Sequence, residues 1–452
     1  MSGSKRQLVF VDVLGIGING IVGSGIYLLV APMAARAGAA SALGVLACGL
    51  LCGSIALCFA ELASIFDRSG GPTVYARAAF GPGLGFAAGW LGAATGILGL
   101  AAVAVGLAGT LARLWPALAT LPGGRTAVAV GIIAALGALN LRGVKVGGRA
   151  STLLSMVKLL PLLALAIWGL PRVTPDLLAA ALRAPEAPPG VQAPGLLQAV
   201  ARSAFLAIFM TSGFDYAAVP AGEVKEPRRT VPLALLGSLA LATLLYVSLQ
   251  LVALATVPEL RLVQADGVPA RAQPLIDAAL VVFGPWGAPL LGAAAALSML
   301  GYCAGVALVA PRYLVALAED DALPRALAAT GKSGTPGLAI VASTLLACGL
   351  AALLGYTSLV DASNVVILSG YTVTALATLA LRLKQPDLPR AVRLPFGVAI
   401  PALAAVSAVV LLVSAEPKLS EFAFTGELLL VGGLAWGATA LARRAARATP
   451  EG

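Results

Sequence analysis

The chain contains no histidine, and only 11% of its 452 residues are charged, against about 25% in an ordinary soluble domain. Without histidine, zinc sites and histidine-based triads lose their commonest ligand and base, so an enzyme built on metal or nucleophilic chemistry is not expected and no cofactor is called for. The five cysteines, Cys48, Cys52, Cys58, Cys303 and Cys348, all fall inside apolar runs. A thiol there behaves as a small hydrophobe, so no disulfide framework is implied, and Cys48 and Cys52, on one helix face, are expected to pack. Long polar stretches are also lacking. Apolar residues make up 59% of the chain, and runs of about 20 of them recur from end to end, which implies an all-α polytopic membrane protein.

The net charge of +10 suggests nucleic acid at first sight, but the charges lie in short loops between apolar runs rather than in one patch, so no nucleic-acid partner is expected. Lys5 and Arg6 precede an apolar stretch longer than the roughly 7 to 15 residues of a signal-peptide core, which is therefore read as a retained span. Twelve transmembrane helices can be drawn, at 8–31, 41–64, 84–113, 126–141, 150–170, 200–219, 232–257, 288–318, 337–355, 361–382, 398–415 and 422–442. With the N-terminus inside, twenty basic residues, among them Lys5, Arg6, Arg68, Arg77, Lys145, Arg229, Lys332, Arg382, Arg390 and Arg443, fall on the inner side. Nine fall outside: Arg36, Arg113, Arg125, Arg172, Arg183, Arg202, Arg261, Arg271 and Lys418. This bias places both termini in the cytoplasm of a multi-pass protein of the cell membrane, with the lipid bilayer as partner.

Glycine is not lacking, and its placement is informative. "GIGINGIVGSGIYLLV", Gly15 to Val30, carries five glycines up to Gly25 inside the first span, although each costs a helix interior about 1 kcal/mol. "FLAIFMTSGFDYAAVPAGE" in span six sets Gly213 beside Thr211, Ser212 and Asp215. Five being odd, a five-span unit that starts at span six enters the membrane in the opposite sense to one that starts at span one. Interruptions at corresponding places of two inverted units point to a transporter site at the bilayer midplane. The GxxxG-like spacings of spans two and three are read as close packing. The division expected is a first five-helix repeat at 1–170, an extracellular connecting loop or short surface helix at 171–199, a second repeat at 200–383, and two further helices with a cytoplasmic tail at 384–452.

"GSGIY" at Gly23 to Tyr27, "SGGPTVYARAAFGPGLGFAAGW" ending at Trp90, "NLRGVKVGGR", "VKLLPLL", "GFDYAAVPAGEVKEPRRTVPLAL", "ALAEDDALPRAL" and "RAVRLPFG" follow one another along nearly the whole chain. In that order they resemble the amino acid-polyamine-organocation (APC) superfamily. The resemblance implies the LeuT-type fold, a 5+5 inverted repeat with two C-terminal helices, and secondary active transport of amino acids, most simply proton-coupled uptake of neutral ones. Asp215 stands where many members carry glutamate, and Ile97 where some arginine exchangers carry a polar residue. An exchanger, a carrier of cationic amino acids or polyamines, and a membrane nutrient sensor therefore stay open as alternatives.

On this reading, unwinding at Ile21 to Gly25 exposes backbone groups that substrate replaces. A carboxylate would accept from N–H groups near Ser24 and Gly25, and an ammonium would donate to carbonyls of Ile21, Phe209 and Ser212, with Gly23 and Gly213 letting the backbone approach closely. The side chain would meet Gly92, Ala93, Phe209, Met210 and Tyr302, with Phe209 as a lid. Asp215 is a candidate gate or coupling group. Asp12 and Glu61, near span ends, are read as anchors or gate partners, and Glu223, Lys225, Glu226, Arg228 and Arg229 as a solvated charge run. Lys158 sits about eight residues, roughly 12 Å, into span five. That depth marks it for an ion or proton pathway; similarity to proton-coupled members with lysine there makes it the expected proton-coupling residue. The amino acid, the stoichiometry and the oligomeric state are not specified by the sequence.

Overall fold

A bare N–H or C=O finds no water in lipid, so each crossing must close its hydrogen bonds within itself, and the apolar runs accordingly become helices. The computed structural model describes residues 8–66, 71–143, 148–218, 224–264, 273–331, 334–394, 396–414 and 419–448. Lys5, Arg6, Arg68, Lys145, Glu223, Arg271, Lys332 and Lys418, used above for topology or the charge run, lie outside them.

The helices are α1 (Phe10–Ile21), α2 (Gly25–Leu28), α3 (Val30–Ala37), α4 (Ser41–Ile65), α5 (Pro72–Phe80), α6 (Pro82–Leu114), α7 (Ala117–Thr120), α8 (Gly124–Leu141) and α9 (Gly148–Gly169). They continue with α10 (Pro175–Ala181), α11 (Leu196–Thr211), α12 (Pro227–Thr256), α13 (Pro274–Phe283), α14 (Gly287–Glu319), α15 (Gly337–Leu353), α16 (Tyr356–Lys384), α17 (Ala399–Ser414) and α18 (Leu419–Ala448). Among the described residues there is no strand, only two isolated bridges, Leu8 with Val224 and Glu186 with Leu262. Nine helical stretches there are long and apolar enough to cross a membrane, ten if Lys158–Arg172 and Pro175–Ala181, bent by 103° to each other, form one. Helices α15 and α17 are shorter apolar helices. The chain is an all-helical, multi-pass membrane protein.

Small residues set how closely these helices approach. Along α6, Gly89 lies against Leu317, Gly92 against Tyr313, Gly96 against Ala310 and Gly99 against Tyr302, all on α14. Spacings of three and four keep that stripe on one helix face, and without side chains the two backbones close together. Gly49 likewise seats Thr243 of α12 against α4, and Gly17 seats Ser238 against α1.

Three segments differ from the sequence expectation. The first crossing does not stop at residue 31 but runs as α2 and α3 to Ala37, where Gly38 turns the chain at φ 53°. The loop after α4 contains α5, because two Gly-Pro steps, Gly71-Pro72 and Gly81-Pro82, each start a helix. Helix α13, separated from α14 by the Gly284–Trp286 turn, occupies what reads as plain connection before the eighth span.

Buried and surface charges tie the helix ends. Glu61, 1% exposed at the end of α4, accepts from Arg382 Nε at 2.8 Å, from Arg382 Nη2, from Arg390 Nε at 3.2 Å and from the Leu394 N–H at 3.1 Å. Arg77 of α5 pairs with Asp320 at 2.5 Å and Arg325 with Asp321 at 2.7 Å. Asp12 accepts the Val9 N–H at 3.1 Å and closes the first turn of α1. Lys225, Glu226, Arg228 and Arg229 are exposed.

Candidate functional site

Helix α1 ends at Ile21 in the middle of the bundle, and residues 22–24 are non-helical before α2 begins. A helix that ends there leaves its last carbonyls without intrahelical donors. Side chains from three other helices supply them. Lys158 of α9, 1% exposed, donates to Asn19 O at 3.3 Å, Asn19 Oδ1 at 2.8 Å and Val22 O at 2.5 Å, which uses all three of its protons. Ser298 of α14 donates to Val22 O at 3.2 Å, and Tyr246 of α12 donates to Ile21 O at 3.2 Å. Among the described residues no carboxylate pairs with Lys158, so its charge rests on carbonyl dipoles at the negative end of a helix, where a cation is favoured.

The far side of this break is the start of a helix. The Ser24 carbonyl accepts from Tyr27 and Leu28 N–H, while no acceptor among the described residues takes the N–H groups of Ser24, Gly25 and Ile26. The helical run continues through Leu29, itself right-handed, to Ala37. A positive helix end with three uncommitted donors therefore faces the negative end of α1 across three residues.

Helix α11 breaks at Ser212 and Gly213, and a short 3-10 turn, Phe214–Ala218, follows. This break is closed locally. Ser212 Oγ donates to Phe209 O at 3.1 Å, and Asp215 Oδ1 accepts from the Gly213 N–H and from Tyr371 of α16, both at 3.2 Å. Gly213 holds φ 95°, where a side chain is strained. The two breaks touch: a methyl on Gly20 would come within 2.5 Å of the Gly213 carbonyl oxygen, and one on Gly213 would strike the Gly20 carbonyl.

Of the residues singled out in the sequence, Ile21, Gly23, Ser24, Gly25, Phe209, Met210, Ser212, Gly213, Tyr302, Lys158 and Asp215 gather around these breaks. Tyr302 packs its ring on Gly23, within 2.9 Å of where a Cβ would lie. Ser24 Oγ is 3.3 Å from Tyr356 Oη, and the Tyr356 ring meets Phe209 edge to face at 6.4 Å. Three placements need correction. Gly25 does not front open space but abuts Met210, so its missing side chain serves a helix contact. Ala93 is buried in a separate cluster with Phe86, Tyr313, Leu314 and Leu317. Gly92 faces Tyr313 rather than the first break; the α6 residue that reaches Tyr302 is Gly99, two turns on. The Ile21 carbonyl already accepts two hydrogen bonds, from the Gly23 N–H at 3.0 Å and from Tyr246, and the Phe209 carbonyl accepts one from Ser212 Oγ.

Asn19, Gly20, Gly99, Tyr246, Ser298 and Tyr356 belong to this arrangement, although sequence reasoning does not single them out. Asn19 and Gly20 sit in the glycine-rich stretch of the first span, whereas Tyr246 and Ser298 look like ordinary residues of apolar spans. Cys48 and Cys52 both approach Thr211 Oγ1, at 3.0 and 3.5 Å, so they add polar contact to packing.

A cavity lies on each side of the breaks. One, of about 30 Å3, has Asp215, Tyr216, Tyr313, Tyr371, Thr95 and Gly92 in its wall; it holds a water or two and no amino acid. The other, of about 590 Å3, opens at the C-terminal end of α6 and is floored by Tyr356 and Leu28.

The sequence matches the family described as amino acid permease over residues 8–429. It is 28% identical to the methylthioribose transporter of Bacillus subtilis, over 88% of this chain and 86% of that one. It is 30% identical to the polyamine transporter PUT1 of Oryza sativa subsp. japonica, over 76% and 61%, and 27% identical to the branched-chain amino acid permease BcaP of Bacillus subtilis, over 88% and 86%. These relatives share transport and differ in cargo. With two broken helices crossing at paired glycines and a family match that spans nearly the whole chain, the protein belongs to the amino acid permease family of the APC superfamily, whose members are transporters and not enzymes.

Proposed function

We propose that the protein is a secondary active amino acid transporter of the LeuT type. It has twelve crossings, two inverted five-helix repeats (residues 1–170 and 200–383, joined by 171–199) and two further helices in 384–452, with both termini cytoplasmic in the cell membrane. The observation that carries this is the first break: three uncommitted N–H groups at a positive helix end, opposite carbonyls at a negative one. A zwitterion complements both ends at once, its carboxylate on Ser24, Gly25 and Ile26 and its ammonium on the Ser212 carbonyl and the remaining lone pair of Phe209, beside the Ile21 carbonyl that Gly23 and Tyr246 already fill. Tyr302, Phe209 and Tyr356 enclose its side chain in an apolar wall without a pair of acids, which favours small neutral substrates.

Lys158 is the proton-coupling residue of this proposal. Charged, it clamps Asn19 and Val22 and holds the end of α1 in place; neutral, it loses a donor, α1 is freed, and the inward-facing state is favoured. Transport then moves a proton with each release of that clamp. A second reading, a carrier of amines, has one observation in its favour: Asp215 is a buried carboxylate beside Tyr371 with no cation paired to it among the described residues.

Uptake by purified protein in liposomes, across a panel of amino acids and putrescine with and without a pH gradient, tests both. Accumulation of a neutral amino acid that needs the gradient is the expected result. Uptake of putrescine alone establishes the second reading in its place.

A further inference from the structure

The large cavity at the C-terminal end of α6 has a charge of one sign. Arg113, in the last turn of α6, and Arg125, in the first turn of α8, both line it, with Thr126 and Gln273. Both arginines are exposed, and neither has an ion-pair partner among the described residues. No acidic residue is among its described lining residues. Two helices also start there, α8 at Gly124 and α16 at Tyr356, so two positive helix ends add to the two guanidinium groups. At about 590 Å3 the space has the size of a small-molecule site. Its floor is Tyr356, whose hydroxyl reaches Ser24 at the first break. The cavity thus ends one side chain away from the uncommitted N–H groups.

We propose that this cavity is an anion-receiving vestibule. Arg113 and Arg125 capture the carboxylate of incoming substrate before it passes Tyr356, and the same field turns polyamines away. The proposal rests on the reading that the substrate is an amino acid. A cleft lined by one sign of charge raises the local concentration of the opposite one and loses this advantage as salt rises. Guanidinium groups suit a carboxylate because they bind it through two parallel hydrogen bonds. Gln273, 7% exposed and bonded through Nε2 to Thr110 Oγ1 at 3.2 Å, fixes the wall opposite and adds no charge.

Two measurements on the full-length protein in liposomes decide it. In the first, Arg113→Gln, Arg125→Gln and the double variant are assayed for uptake of the preferred amino acid at low and high salt. The double variant is expected to raise KM about three- to tenfold at low salt, with Vmax falling less than about twofold, and to abolish most of the salt dependence. In the second, Thr126→Cys is made in a Cys348→Ala background, the other four cysteines being buried. Its labelling rates by sulfonate-bearing and by trimethylammonium-bearing methanethiosulfonates are compared, and neutralising both arginines is expected to lower the anion-to-cation rate ratio at least about fivefold.

An unchanged ratio overturns the vestibule's charge. A changed ratio with an unchanged KM overturns its role as a substrate dock and leaves only adventitious anions to fill it. If the wild type takes up no carboxylate-bearing substrate, the amino acid reading and the dock fail together, and this shows in the wild type alone, whereas the thiol rates do not depend on transport.

Discussion

The two helix breaks solve the same problem in opposite ways. At the first, the freed carbonyls of Asn19, Ile21 and Val22 are taken by Lys158, Tyr246 and Ser298, side chains of α9, α12 and α14. At the second, most of the work is done by neighbours in sequence: Ser212 bonds Phe209 and Asp215 bonds Gly213, with Tyr371 as a distant partner of Asp215 and Cys48 of Thr211. The first break is wired to three other helices and includes a cation, so anything that moves those helices or removes that charge reaches it. The second is closed mainly within its own segment, with no cation among the described residues, and supplies shape. In the proposed mechanism conformational coupling belongs to the first, and this difference can be attacked from either side.

The largest effect is expected where the breaks meet. Gly213→Ala adds a methyl at φ 95° directly onto the Gly20 carbonyl, and the strain of such a position, about 1 to 3 kcal/mol before the clash, is enough to abolish uptake and lower the melting temperature in detergent. If Gly213→Ala transports normally, the two breaks do not pack as a unit.

Next comes Lys158→Gln, which keeps a donor and removes the charge. Gradient-driven accumulation is expected to be lost while counterflow exchange survives, because in the proposed mechanism binding uses the N–H groups and coupling uses the ammonium. Accumulation that persists in Lys158→Gln or Lys158→Ala removes Lys158 from coupling and makes it a structural tie between α1 and α9.

Tyr246→Phe and Ser298→Ala each delete one hydrogen bond to the first break. A net loss of about 1 kcal/mol, roughly fivefold in apparent affinity, is expected for each. Ser298 shares the Val22 carbonyl with Lys158, so Ser298→Ala is also expected to shift the pH profile of uptake, which a purely structural serine would leave in place.

Ser212→Ala is expected to have the smallest effect, a KM change within about threefold and no change in pH profile, since its bond to Phe209 is local and partly exposed. A pH shift in Ser212→Ala equal to that of Ser298→Ala erases the contrast between the breaks.

What could be seen in the sequence follows the same division. Glycines beside polar residues in otherwise apolar spans stand out because lipid punishes an unsatisfied backbone, so both breaks could be located, and a lysine deep in span five stands out for the same reason. Register could not be seen. Gly89, Gly92, Gly96 and Gly99 are chemically identical steps of one stripe, and nothing local says that Gly99 rather than Gly92 meets Tyr302. Tyr356 falls in the gap between the ninth span, which reads as ending at 355, and the tenth, which reads as starting at 361, while α16 starts at Tyr356 itself. Partners such as Tyr246 and Ser298 come from sequence separations of 225 and 276 residues, and one apolar helix carries no mark of which hydroxyl another will need.

The cluster at Glu61 has a consequence in time rather than in space. Arg382 and Arg390 lie 321 and 329 residues further along the chain. At about 5 to 20 residues per second, a ribosome delivers them roughly 16 to 66 s after Glu61 emerges. For that interval α4 must reside in or beside the bilayer with an acid whose cations do not yet exist. A nascent chain halted before Arg382 is therefore marked by an unclaimed carboxylate, and such fragments should be cleared faster than equal-length fragments carrying Glu61→Gln.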